Sequence, residues 1–174
     1  MLTTEAIVER CPLFQDMSAA ERSAVFSLLE SVTYTAGETI LREGKAVRML
    51  WIIRRGQCEV VKKTKTGVEQ RLAILEQGAV FGEMSFFHPA PHSASIRTLD
   101  AVEVLRLTLE EFKQLEEVHP SAAHRIVTNT VTVLVGRLRR MDEWVRDLLE
   151  TPEAAGHREE WQEFRAKLYS EWLK

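Results

Sequence analysis

The chain has 174 residues, of which 45% are hydrophobic and 28% charged, and its formal net charge is −3 at pH 7. This composition can bury a core and is not that of a disordered chain, and the slightly acidic balance argues against a nucleic-acid-binding protein. No apolar run approaches the ~18 residues that span a bilayer, and the first residues lack the apolar stretch of a signal peptide. We therefore expect a soluble, cytoplasmic protein with no membrane partner.

Residue types that usually carry metal binding or catalysis are sparse. Cys11 and Cys58 are too few for a disulfide framework or a four-ligand zinc site. His88 and His92 have metal-ligand spacing, but the two prolines between them interrupt a regular helix and no third ligand is evident. Glu83 and His92 resemble an acid–base pair that lacks a nucleophile. The sequence therefore predicts no metal site, no required cofactor and no enzymatic activity.

Local patterns divide the chain into three stretches. Residues 1–31 have helical patterns, residues 32–108 have strand patterns, and residues 109–174 are helical again. Ser18 and Glu21 form a capping box that starts a helix. Apolar residues then follow at helical spacing: Val25, Leu28, Leu29 and Val32. Helices at both ends of a strand-rich middle predict an α+β fold.

Six glycines punctuate the middle stretch and separate short apolar segments. The segments read TILRE, MLWII, QCEVVKK, VEQRLAIL, SASIRT and VEVLRL. All are of strand length and rich in Val, Ile, Leu or Thr. Many short strands with glycine turns predict an antiparallel barrel or sandwich.

A long helix is predicted after the strands. Thr108 and Glu111 form a second capping box for a short helix, and Pro120 opens the longer one. Within it, apolar residues step by four and three, which makes a heptad seam over roughly 33 Å. The seam consists of Val127, Val131, Leu134, Leu138, Met141, Val145 and Leu148. The unbroken period favours a homodimer through residues 127–148, and the alternative is a helix packed against its own barrel.

The chain ends in a short extension. Thr151 and Pro152 end the long helix, and residues 157–174 predict a last helix. Its large side chains share one face: Trp161, Phe164, Leu168 and Trp172. We expect one domain over residues 1–150 and a helical extension over residues 151–174, which is too short for a winged helix-turn-helix.

Residues 79–98, AVFGEMSFFHPAPHSASIRT, carry the most chemistry. Gly82 and Glu83 follow a strand and open a very short helix, EMSFF. Successive backbone amides at such a start form a concavity that binds anions. A glutamate there can accept hydrogen bonds from ligand hydroxyls.

The HSASIRT segment is predicted to be a strand that begins with small residues. Ser93, Ala94 and Ser95 would let a ligand approach the backbone amides. Period two places His92, Ala94 and Ile96 on one face of the strand. A glutamate, a histidine, a serine and free amides could therefore converge on one cavity.

At these residues the sequence resembles a known family. FGEMSFF followed by PHSASIRT (residues 81–98, hereafter the cassette) resembles the phosphate-binding cassette of cyclic nucleotide-binding domains, which occur in catabolite activator-type regulators, kinase regulatory subunits and gated channels. GETILREGKAVRMLWIIRRGQCEVV resembles the early strands of the family, and VEVLRLTLEEF its exit to the helices. The resemblance covers residues 10–150. It implies an antiparallel β-roll of jelly-roll type flanked by N-terminal helices and a long C-terminal helix that often pairs in dimers.

The resemblance also implies a role for each matching residue. The amide of Gly82 would bind the ribose or phosphate region, and Glu83 would accept from the ribose 2′-hydroxyl. Ser93 and Ala94 would offer donors to the cyclic phosphate of cAMP or cGMP. The implied ligand-binding residues are Phe81, Gly82, Glu83, Met84, Ser85, His92, Ser93 and Ala94.

One position departs from the family pattern, because the phosphate-binding arginine is His92 here. Arginine is always charged, whereas a histidine with its ordinary pKa of about 6.5 is mostly neutral at pH 7. Loss of a charge-assisted pair costs about 1.5–3 kcal/mol, or about 10- to 150-fold in affinity. Three outcomes stay open: weak nucleotide binding that improves at low pH, another ligand, or no ligand.

Other cations are poor substitutes for the missing arginine. The parity of its strand places Arg97 on the face opposite His92. Arg139 and Arg140 are more flexible candidates, although a solvated face is the favoured interpretation of both. Met141 and Asp142 align with base-covering residues of the family, but Met141 also belongs to the seam, so neither cAMP nor cGMP is selected.

The sequence thus predicts a non-enzymatic sensor domain that couples a cyclic nucleotide, or another small anionic ligand, to movement of its C-terminal helix. A protein partner of unknown identity would read that movement. The alternative is a ligand-free scaffold with a vestigial pocket, which acts through the seam and the terminal aromatic face.

Overall fold

The computed structural model describes residues 10–150 and, outside that range, only Ile7, Trp161 and Glu163. The chain divides into two compact units, residues 1–131 and residues 132–174. Because only two residues of the predicted helix over residues 157–174 are described, that helix falls almost entirely outside the described residues. The predicted domain boundary at residue 150 stays a prediction. None of the described helices is both long and apolar enough to cross a membrane.

A 3-10 turn and four α-helices flank or interrupt the strands. The turn is Pro12–Phe14, and the helices are α1 (Ala19–Phe26), α2 (Glu83–Phe87), α3 (Leu109–Val118) and α4 (Pro120–Leu149). Both predicted capping boxes are confirmed. The Ser18 hydroxyl accepts from the amide of Glu21 at 3.2 Å, and the Glu21 carboxylate accepts from the amide of Ser18 at 2.7 Å. This reciprocal pairing satisfies two amides of the first helical turn.

Eight strands form two antiparallel four-stranded sheets. The strands are β1 (Glu30–Tyr34), β2 (Thr39–Leu41), β3 (Met49–Arg55), β4 (Cys58–Lys63), β5 (Glu69–Leu75), β6 (Val80–Phe81), β7 (Ser95–Thr98) and β8 (Val102–Thr108). One sheet has the order β1-β8-β3-β6 and the other the order β2-β7-β4-β5. Every pairing is antiparallel. The predicted α+β fold and β-roll are confirmed.

The first strand begins slightly earlier than predicted. The helical stretch was expected to reach residue 31, with Val32 still at helical spacing, but α1 ends at Phe26 and β1 begins at Glu30. β1 pairs with β8, and the carboxylate of Glu30 accepts from Nε of Arg106 at 2.8 Å. The cross-strand partners lie 68 to 76 residues away in the chain, so tertiary pairing overrode a local spacing that suited a helix.

The two faces of β3 pack against different cores, which explains its unbroken apolar run. Trp51 and Ile53 belong to a cluster between the two sheets, whereas Leu50 and Ile52 belong to a cluster beneath the helices. A strand buried on both faces needs no polar alternation. Cys58 is fully buried in the inter-sheet cluster, where burial and a smaller effect of Asp100 raise the pKa of its thiol to about 11.

The start of α4 is held against the helix-side core. Ala122, Ala123 and Ile126 are buried in that cluster at helical spacing. The side-chain amide of Asn129 donates to the carbonyls of Leu13 and Gln15, both at 2.8 Å. These two bonds tie the helix to the 3-10 turn at the other end of the described chain.

Candidate functional site

The cassette begins where the backbone must pass very close to an aromatic ring. Phe81, in β6, stacks on Trp51 with ring centroids 5.7 Å apart. Gly82 follows with φ +82°, and a Cβ there would lie 2.6 Å from both the Met49 carbonyl oxygen and the Trp51 ring. Only glycine fits this left-handed, crowded position, and it turns the chain from β6 into α2.

The short helix predicted for EMSFF is confirmed as α2, and three contacts anchor it. The guanidinium of Arg48 donates twice to the carbonyl of Phe86, from Nε at 3.1 Å and from an Nη atom at 2.8 Å. The Phe86 ring is fully buried and packs edge-on against Phe112 of α3 at 5.5 Å and against Phe87 at 4.9 Å. Phe87 meets the same α3 ring at 5.6 Å. The cassette helix is therefore joined directly to the helix that precedes α4.

The far arm of the cassette is fastened to the loop between β2 and β3. The amide of Gly44 donates to the carbonyl of His92 at 2.9 Å, and the amide of His92 donates to the carbonyl of Lys45 at 2.8 Å. The amide of Glu43 donates to the Ser95 hydroxyl at 3.0 Å. These bonds hold the backbone of His92 on both of its polar groups.

The imidazole of His92 is buried, with 6% of its surface exposed. Its Nδ1 lies 2.9 Å from the hydroxyl of Ser85, and its Nε2 has no hydrogen-bond partner among the described residues. Burial lowers the pKa of His92 below its ordinary value near 6.5, because a charged ring is poorly solvated there. The ring is therefore neutral at pH 7.

Residues close to Ser85 and His92 in the sequence supply two hydrogen-bond donors and a carboxylate. The amides of Ser93 and Ala94 make no hydrogen bond with any described residue, and their side chains are small. Glu83, the first residue of α2, is 4% exposed. The cassette thus holds a buried carboxylate, a buried imidazole and available amide donors, which is chemistry suited to a hydroxylated anion.

The eight predicted ligand-binding residues divide into buried and open positions. Phe81, Glu83, Ser85 and His92 are buried, and the contact between Ser85 and His92 joins α2 to the arm that precedes β7. The open or half-buried ones are Gly82, Met84, Ser93 and Ala94. The assignment of all eight as ligand contacts stays a prediction.

The predicted strand HSASIRT starts later than expected. β7 begins at Ser95, so His92 lies in the irregular arm before it, held by loop bonds instead of a strand ladder. Arg97 binds the carboxylates of Glu59 at 2.6 Å and Glu69 at 3.2 Å. Its charge is therefore already partnered, in agreement with the expectation that it does not replace the missing arginine.

Sequence reasoning missed Arg48 and Trp51 as parts of this site. Both lie at least 30 residues before the cassette, and neither belongs to a motif that marks it. The one available signal was the aromatic residue in the run MLWII, which a plain aliphatic strand does not need. Among the described residues no group of three or more metal-ligating side chains occurs.

Comparisons with known proteins agree with this geometry. The family model named cyclic nucleotide-binding domain matches residues 31–119, just over half of the chain. A cAMP-dependent protein kinase regulatory subunit of Blastocladiella emersonii is 32% identical over 64% of this chain and 28% of its own length. A CRP-like cAMP-activated global transcriptional regulator of Mycobacterium tuberculosis is 26% identical over 84% of this chain and 64% of its own length.

A solved structure has the same fold as this chain. A cyclic nucleotide-binding domain from Methylobacillus flagellatus superposes with a TM-score of 0.73 and 26% identity, over 84% of this chain and 81% of that one. The chain therefore spans most of that domain but less than two thirds of the two curated relatives. The matched residues contain both the β-roll and the cassette, and the chain belongs to the cyclic nucleotide-binding domain family.

Proposed function

We propose that this chain is a non-enzymatic sensor that binds a cyclic nucleotide, cAMP or cGMP, in its cassette. One observation carries the proposal: the contact between Ser85 and His92 joins the helix that begins with the buried Glu83 to the arm that carries the imidazole and the two available amides. In this role Glu83 accepts from the ribose 2′-hydroxyl, and the amides of Ser93 and Ala94 bind the phosphate. Gly82 contributes its own amide beside the ribose.

Titration with cAMP and cGMP tests this function. A hundredfold excess of free nucleotide over Kd stabilises the folded state by about 2.7 kcal/mol, which raises Tm by roughly 5–11 °C for a chain of this size. Amide signals of Gly82, Glu83 and Ala94 should shift in the same titration. If saturating cAMP and cGMP change neither Tm nor these signals between pH 5.5 and 7.5, the proposed function is wrong.

The cassette is well placed to pass its state to the long helix. The rings of Phe86 and Phe87 meet Phe112 of α3, and α4 begins two residues after α3 ends. A ligand that repositions α2 would favour one arrangement of α3 and α4 over another, and a protein partner would read the difference. The difference in ligand affinity between the two arrangements sets how strongly the ligand shifts the equilibrium between them.

The exposed face of α4 supports a homodimer as part of this function. Several seam residues are well exposed, Leu138 at 58%, Met141 at 52% and Val131 at 52%, which is unusual for apolar side chains on one helix face. A heptad stripe of this kind packs favourably against a second copy of itself.

Replacement of Leu138 by Lys tests the seam. A charge at a central core position of a two-stranded seam is not solvated, so the variant should have half the wild-type mass by multi-angle light scattering. Glu143→Lys is the control, since it introduces the same lysine side chain, with an even larger change of charge, at an exposed position away from the seam and should leave the mass unchanged. An unchanged mass for Leu138→Lys excludes this seam.

The neutral histidine supports a second candidate, a scaffold with a vestigial pocket. Without the charge of an arginine, the cassette would be an inherited fold and the helices would carry the function. His92→Arg separates the two: binding gained from a silent parent supports the scaffold, whereas a wild-type chain that already binds nucleotide rejects it.

A further inference from the structure

The side chain of His92 is satisfied on one side only. Nδ1 is 2.9 Å from the Ser85 hydroxyl, but Nε2 is buried without a partner among the described residues. A buried polar atom left unpaired costs free energy, and nearly all such atoms in folded proteins have a partner. The orphaned nitrogen is explained if an atom of a bound ligand completes its hydrogen bonding.

The neighbourhood of that nitrogen suits an anion. The backbone of His92 is held on both sides by Gly44 and Lys45, which fixes the arm that carries the ring, and the Ser85 contact orients the ring itself. The next two amides, of Ser93 and Ala94, are available donors. An imidazole donor beside two amide donors matches the several oxygens of one phosphate group.

We infer that Nε2 of His92 donates to the phosphate of the ligand, and that the imidazole takes up one proton from solvent as the anion binds. The inference rests on the proposed function, because it assigns how the same cassette supplies its positive charge. Without nucleotide, position 92 then carries no permanent charge, and the charge that an arginine would provide there arrives together with the ligand.

The hydroxyl of Ser85 allows this change of protonation. A hydroxyl donates to Nδ1 when the neutral ring carries its hydrogen on Nε2, and it accepts from Nδ1 when both nitrogens are protonated. Both states therefore keep the observed 2.9 Å contact. In either state Nε2 carries the hydrogen that faces the phosphate, and protonation adds the positive charge.

Burial holds the pKa of His92 low when no nucleotide is bound, because the charged ring is poorly solvated there. The charged residues on the elements around the ring are Glu83 of α2 and, in the segment before β3, Arg42, Glu43, Lys45 and Arg48. Arg48 is engaged with the Phe86 carbonyl, Glu43 accepts from the amide of Lys63, and both Arg42 and Lys45 are exposed. A bound phosphate adds a negative charge next to the ring and raises the pKa.

The sign of the pH dependence follows. The bound state has the higher pKa, so nucleotide binding takes up a proton and strengthens as the pH falls. Between the two pKa values the affinity should rise up to about tenfold for each pH unit of acidification. A cyclic phosphodiester keeps its single negative charge throughout this range, so the ligand itself contributes no titration.

Calorimetric titration of the full chain with cAMP and with cGMP at pH 5.5, 6.5 and 7.5 tests the inference. We expect a Kd that decreases on acidification by several-fold to tenfold per pH unit between pH 7.5 and 6.5. Runs in two buffers of different ionisation enthalpy should report uptake of up to one proton per nucleotide. This measurement needs no variant and is independent of whether a variant folds.

Three substitutions assign the proton to His92. His92→Gln should abolish the proton uptake and the gain in affinity at low pH. His92→Arg should bind at least tenfold more tightly at pH 7.5, with a flat pH profile. His88→Gln is the matched control, because this exposed histidine lies four residues away in the same segment and should leave the pH profile unchanged.

The outcomes separate the inference from the function on which it rests. Wild-type binding that does not vary with pH, or proton uptake that survives in His92→Gln, overturns the inference and leaves the sensor function intact. A wild-type chain that binds neither nucleotide at any of the three pH values overturns both the inference and the proposed function. Binding gained by His92→Arg in that case supports the scaffold with a vestigial pocket.

Discussion

Phe86→Ala is expected to lower the free energy of unfolding by about 3–5 kcal/mol, the largest effect of any single truncation in the cassette. The ring is fully buried and packs edge-on against Phe112 and Phe87. Its removal leaves a cavity where α2 meets α3, since the surrounding side chains relax only partly. Urea unfolding followed by circular dichroism measures the loss.

The adjacent phenylalanine provides the control for this prediction. Phe87 is 36% exposed, so Phe87→Ala removes less buried surface and should cost about 1–2 kcal/mol. Phe86→Ala should also weaken nucleotide binding, whereas Phe86→Leu should restore most of the stability. Equal losses for the two alanine variants would show that Phe86 does not anchor the cassette.

Gly82→Ala is expected to cost about 2–4 kcal/mol and to abolish nucleotide binding. Two penalties combine: the left-handed backbone at φ +82°, and a Cβ placed 2.6 Å from the Met49 carbonyl oxygen and the Trp51 ring. The backbone has to shift at the point where β6 turns into α2. The same unfolding experiment, together with a cAMP titration, measures both effects.

A second glycine separates the two penalties. Gly67 has almost the same φ, +84°, but a Cβ there meets nothing within 4 Å. Gly67→Ala should therefore cost only about 1 kcal/mol and leave binding unchanged. If both variants lose the same stability, the close approach to Trp51 contributes nothing and Gly82 is required for its backbone angle alone.

Features with short sequence separation were well predicted. The boxes at Ser18 and Thr108 were read correctly because both partners lie three residues apart and need no distant contact. The start of α4 at Pro120 and the short helix after Gly82 were also predicted correctly, because a proline or a glycine in the sequence marks each of them locally. The strands were found for a related reason, since glycine turns and β-branched runs are local signals.

Predictions that depended on distant partners were less accurate. Val32 suited a helix by spacing, yet β1 forms there because β8 offers hydrogen bonds and Arg106 offers charge to Glu30. His92 was assigned to a strand, but the loop at Gly44 and Lys45 holds it in an irregular arm. In each case the free energy of a nonlocal pairing exceeded a local preference.

The amino-acid sequence alone determined the family, the β-roll with its helices, and the position of the cassette, because ordered motifs and short-range spacing carry that information. Only the tertiary structure decided that the His92 ring is buried, that Ser85 satisfies one of its nitrogens, and that Nε2 is left without a partner. It also decided that α2 is held by Arg48, which lies 38 positions before Phe86 in the chain. Burial and desolvation arise from the packing of segments far apart in the chain, so no local pattern records them.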